Sequence, residues 1–73
     1  MLAHDPIEET TAYRRVVAAA EEAAWVAVEA AGIERGSFGS CWPFWAAKQR
    51  ILREHYGVAW RTPSEMNPGV IFD

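Results

Sequence analysis

Only one cysteine, Cys41, occurs in the chain. No internal disulfide can form, which excludes the disulfide-stapled class of small secreted domains. The first residues, Met1-Leu2-Ala3-His4-Asp5, lack the basic start and apolar run of a secretion signal. No apolar stretch approaches the ~20 residues that a bilayer-spanning helix needs; Glu21, Glu22 and Glu29 interrupt the most apolar region. A cytoplasmic location with no membrane partner is the expectation. A basic surplus is also missing. The net charge is −3, which argues against nucleic acid as a partner. Residues 1–35 hold seven acids and three arginines, whereas residues 36–73 hold four bases and three acids. An acidic front half and a slightly basic back half could pair with each other, within one chain or between two. Signatures of chemistry are absent as well. There is no G-x-S-x-G, and the loop glycines precede no P-loop lysine. His4, Cys41 and His55 show no metal-ligand spacing. Glu54 and His55 are neighbours that diverge by about 100° on a helix. No metal and no cofactor is expected.

What the chain does have is apolar mass: 51% hydrophobic residues and nine aromatics in 73 residues. That suits one small domain with a packed core, although a chain this short buries only about 60% of its unfolded surface. The pattern predicts an all-α helical hairpin. Helix 1 is expected over about 6–31. Asp5 serves as N-cap, Pro6 takes the first helical position, Glu8 completes a capping-box spacing and Gly32 ends the helix. At 100° per residue, Tyr13, Val16, Val17, Ala20, Ala23, Ala24, Ala27, Val28 and Ala31 share one broad face. Its alanines would let a second helix come close. A glycine-containing loop over 32–40 follows, with Phe38 expected to plug it onto the core. Helix 2 is expected over about 41–56, capped by Ser40, carrying Pro43 in its first turn and ending at Gly57. Thr62-Pro63-Ser64-Glu65 reads as a second capping box opening a short helical turn near 63–66. Asn67-Pro68-Gly69 supplies turn chemistry, and Val70-Ile71-Phe72 is expected to lie extended against the hairpin.

Three groups of residues are candidates for function. Cys41, Lys48 and His55 are seven apart on helix 2 and form a stripe along its apolar face. A lysine there is unusual. It can run its stem over the core or pair with an acid of helix 1, with His55 bonding a tail carbonyl. The stripe can also be a polar seam within an interface. Catalysis by this set is disfavoured, because its members sit about 10 Å apart. Trp25 projects onto the polar side of helix 1 among Glu21, Glu22 and Glu29. Either Trp60, Met66 or the C-terminal segment covers it, or it is an exposed binding centre ringed by acids. Gln49, Arg50 and Arg53 lie on the polar side of helix 2, as a recognition helix would require. The rival reading is a solvated face, and the loop between the helices is longer than a tight helix-turn-helix turn.

Phe38-Gly39-Ser40-Cys41-Trp42, the helix from Trp45 to Tyr56-Gly57, and Trp60-Arg61-Thr62-Pro63-Ser64-Glu65-Met66-Asn67-Pro68 through Phe72-Asp73 resemble short bacterial proteins of prophages or mobile elements. The resemblance covers the C-terminal half. It implies a compact helical unit with a fixed tail and carries no site. The expected function is a non-enzymatic protein-interaction module, a phage- or mobile-element inhibitor or regulator acting through the acidic face of helix 1. Its partner would be another protein, such as a nucleic-acid-binding protein or a defence component, and the chain could form a homodimer. The alternative is a small DNA-binding transcriptional regulator using helix 2.

Overall fold

The computed structural model describes residues 2–72 and contains no strand among them. A 3-10 turn, Pro6–Glu9, leads into helix α1, Thr11–Ala30; helix α2 spans Cys41–Tyr56 and a one-turn helix α3 spans Pro63–Met66. α1 and α2 pack against each other as a hairpin, as the apolar pattern predicts.

The start of the first helix differs from expectation. Asp5 does cap, but its carboxylate accepts from the Ile7 N–H, closing a 3-10 turn. Thr10 then leaves helical geometry (φ −83°, ψ 151°). Its hydroxyl donates to the Ile7 carbonyl at 2.6 Å and accepts from the Tyr13 N–H at 3.2 Å. A short polar side chain that satisfies local backbone groups in this way competes with helix continuation and makes a good N-cap. The expected single helix over 6–31 is therefore split at Thr10. Glu8 does not reach back to complete a capping box; its carboxylate accepts from the Trp60 indole N–H at 2.8 Å.

The helix ends follow the glycines. At Gly32 (φ +89°), the N–H groups of Gly32 and Ile33 return to the carbonyls of Glu29 and Val28, the Schellman arrangement. At Gly57 (φ +66°), the N–H groups of Gly57 and Val58 both return to the Leu52 carbonyl. Ser40, expected to cap α2, makes no side-chain cap bond. It closes a turn onto Ser37 and is already in the right-handed helical region, so its hydroxyl is not aimed at the helix start. Phe38, expected as a plug, is 89% exposed. The loop closes on itself through Ser37 and Glu34, which leaves Phe38 pointing outward.

Ala20, Ala24 and Leu52 are fully enclosed at the α1–α2 contact, with Tyr13, Ile51, Val58 and Trp60 completing the core. The segment after Gly57 brings Val58 and Trp60 back into that core, so the chain past α2 is a structural part of the hairpin. α3 opens with the expected capping box: Thr62 and Glu65 exchange bonds of 2.8 and 3.2 Å. The Asn67 side chain clasps Ala3, donating to its carbonyl and accepting from its N–H. The last segment docks through one residue. Phe72 packs edge-on against Trp42 and Trp45, and its carbonyl accepts from the Trp42 indole at 2.9 Å. Ile71 is 91% exposed and Val70 is exposed as well. The expected extended segment does lie against the hairpin, but through Phe72; Ile71 points the other way, as side chains one apart in an extended segment do.

Candidate functional site

The lysine of the proposed stripe lies in the core. The Lys48 side chain is 7% exposed and its ammonium donates to Glu21 at 2.8 Å. It sits over the Trp60 ring at 4.3 Å and the Tyr13 ring at 5.3 Å. Ring faces carry partial negative charge and so attract the cation. Burial pushes the Tyr13 hydroxyl above its ordinary pKa, and Lys48 opposes that. Among the readings of Lys48, pairing with an acid of the first helix is the one observed. The stripe as a seam does not form. His55 is exposed in the last turn of α2, beside the chain reversal at Gly57, and Cys41 is half-buried at the other end. A seven-residue step also falls about 20° short of two full turns, so the three residues drift across the face.

Trp25 is covered, but by none of the expected elements. Its ring stacks on Phe44 of α2 at 4.2 Å and 15°. The Arg35 guanidinium lies over it at 5.4 Å. Arg35 in turn binds Glu22 at 3.3 Å and Glu29 at 3.2 Å, and those bonds hold it above its ordinary pKa. Glu21 is taken by Lys48. Each acid of the candidate acidic face thus meets a cation of its own chain, at distances set by the fold.

Gln49 is also occupied. Its amide nitrogen donates to the Trp60 carbonyl at 2.9 Å and to Glu65 at 2.7 Å. Both hydrogens are spent in fixing Trp60 and α3 to α2, which removes the bidentate donor–acceptor pair that reading adenine requires. Arg50 and Arg53 stay exposed, each 3.7 Å from Glu54.

Two features escaped the sequence reading. The first is an aromatic cluster of Trp42, Trp45 and Phe72 with exposed Ile71 beside it in the chain. The run Val70-Ile71-Phe72 was the available signal, but which of its residues face outward depends on the docking of Phe72. The second is a surface pocket of about 290 Å³ lined by Gln49, Arg53, Ala59, Trp60 and Arg61. Arg61 is anchored there by Asp5: one carboxylate oxygen accepts from the Arg61 N–H at 2.8 Å and from its Nε–H at 3.2 Å. These residues are 56 positions apart, and no spacing rule links them.

Asp5 and Glu65 carry lowered carboxyl pKa values. Burial raises that of Asp5, but hydrogen bonds from Arg61 and Ile7 outweigh it. For Glu65 the Thr62 N–H is the main cause, opposed by burial and helped by Gln49. A carboxyl whose folded pKa lies below its unfolded value stabilises the fold above the unfolded pKa, near 4, and that contribution is lost as pH falls through the folded value. Urea midpoints measured from pH 7 down to pH 2 are expected to be level above about pH 5 and to fall steeply below about pH 4. Asp5→Asn should start lower and fall less over the same range. Parallel curves for the two proteins would show that Asp5 contributes no proton linkage.

Among the described residues, no group of three or more His, Cys, Asp or Glu is placed to hold a metal ion. No helix among them is long and apolar enough to cross a membrane. No family model matches the chain, nor does any curated protein or solved structure.

Proposed function

We propose that the chain is a non-enzymatic protein-interaction module, and that its contact surface is the apolar patch formed by Trp42, Val70 and Ile71 over Trp45 and Phe72. An inhibitor or regulator of the phage or mobile-element kind would work in this way. The observation that carries the reading is Ile71. It is 91% exposed, yet it belongs to a segment pinned at the next residue by two ring contacts and a hydrogen bond. Leaving such a side chain in water forgoes roughly 1.5–3 kcal/mol of burial. Clustered apolar exposure with a tryptophan is the composition of a binding centre. The acidic face of α1 has less to offer, since Glu21, Glu22 and Glu29 are bound within the chain and Trp25 is stacked.

The occupant we assign to the patch is a second copy of the chain. Leu52 is the one large side chain fully enclosed among the described residues, and small domains gain stability by burying more surface through association. Sedimentation equilibrium from micromolar to millimolar concentration tests this. The wild type and Glu22→Lys are expected to show a concentration-dependent dimer, and Ile71→Asp a monomer with unchanged helicity. A dimer that survives Ile71→Asp but is lost in Glu22→Lys would return the contact to the acidic face. A wild type that stays monomeric throughout would remove self-association.

A further inference from the structure

We propose that the pocket between α2 and residues 58–61 is a binding site for a small phosphate-bearing molecule, held by Arg53 and Arg61. At about 290 Å³ it lies near the lower end of small-ligand pockets, which suits a phosphate group with a modest organic portion.

The donors are what select an oxyanion. Arg61 is held from behind. The buried Asp5 takes its N–H and Nε–H on one oxygen, while the other oxygen accepts from Ile7. Both Nη groups of Arg61 are then left with no protein acceptor among the described residues. A guanidinium fixed through Nε and open at Nη is a pre-oriented fork for phosphate oxygens. Arg53 enters from α2; Glu54 forms an ion pair with it at 3.7 Å but is too far to take a hydrogen bond, so the guanidinium N–H groups stay open. Gln49 has spent both amide hydrogens, so it can offer only its carbonyl oxygen, which suits a ligand hydroxyl. Glu65, the neighbouring carboxylate, is taken up by Thr62 and Gln49.

Two guanidinium forks offer more N–H donors than the two oxygens of a carboxylate can accept, whereas a phosphate monoester offers three oxygens and up to two charges. Extended nucleic acid would need a broad basic surface, and the chain carries a net −3.

The test is a titration of the full chain with inorganic phosphate at constant ionic strength, followed by amide shifts in nuclear magnetic resonance. Malonate and a short DNA duplex are titrated in parallel. Saturable shifts at Ala59, Trp60 and Arg61 are expected with phosphate. Arg53→Gln and Arg61→Gln should each weaken binding about tenfold or more, as the loss of charge-assisted hydrogen bonds implies. Arg14→Gln, on α1 and outside the pocket, and Ile71→Asp should bind as the wild type does, which separates this site from the contact patch. Spectra of each variant confirm the fold, and Arg61→Gln keeps its backbone bond to Asp5. Non-saturating shifts, equal saturation by malonate, or a loss in Arg14→Gln equal to that in Arg61→Gln would each overturn the proposal. So would tighter binding of the duplex, weakened equally by Arg50→Gln.

Discussion

Trp60→Ala is expected to lower the unfolding free energy by about 3–5 kcal/mol, the usual cost of truncating a buried aromatic. For a chain of this length the total stability is of order 4–11 kcal/mol, so the loss is a large fraction of the whole. The ring is 3% exposed and is shared by the core of both helices. It provides one of the two aromatic faces under the Lys48 ammonium, at 4.3 Å. Its indole N–H also satisfies Glu8 at 2.8 Å, joining the 3-10 turn to a segment 52 residues away. Urea unfolding followed by far-ultraviolet circular dichroism measures the loss. Trp60→Phe separates the contributions: it keeps most of the apolar contact and removes the hydrogen bond, so it should cost about 1–2 kcal/mol. A loss below about 1 kcal/mol for Trp60→Ala would mean that residues 57–62 are not part of the cooperative core, even though tryptophan burial normally makes a segment so.

The features legible in the sequence are those whose physics is local. Gly32 and Gly57 end helices because positive φ is cheap there, and Thr62 with Glu65 makes a capping box three residues wide. The alanines that let α1 and α2 approach were visible as a face. Asp5 and Thr10 are both good caps five residues apart. Pattern alone favoured the first, whereas the bond from Thr10 to Ile7 decided the second. The contacts that define the candidate sites are of another kind. Asp5 with Arg61, Glu8 with Trp60, and Trp25 with Phe44 join distant positions, and each depends on how the hairpin and its C-terminal return happen to superpose. Phe38 and Ile71 show the same limit from the other side. Their apolar character suggested burial, but local turns and the docking of a neighbour turned them outward. Lys48 falls between: its place on an apolar face was readable, and an acid of the first helix was among the partners weighed, but the two rings around it were not.

That lysine carries the second large effect, and its sign depends on the replacement. Lys48→Glu is expected to cost at least about 3 kcal/mol, the scale of an uncompensated buried charge. It would set a carboxylate beside Glu21 and against the negative faces of Trp60 and Tyr13, where the cation now sits. Lys48→Met should instead fall within about 1 kcal/mol of the wild type, in either direction. Methionine keeps a stem of similar length over the two rings. The acid it abandons, Glu21, has 42% of its side chain in water and can be hydrated where it stands. Replacing a buried ion pair by apolar contact is often neutral, whereas reversing one of its charges is not. The doubly swapped protein, Glu21→Lys with Lys48→Glu, tells the two attractions apart. If the ion pair alone mattered, the swap would restore stability. Because the rings favour a cation at position 48, only part of the loss should return, and the shortfall in a double-mutant cycle measures the aromatic contribution. Full recovery would assign the stabilisation to Glu21 alone and leave Trp60 and Tyr13 as passive walls.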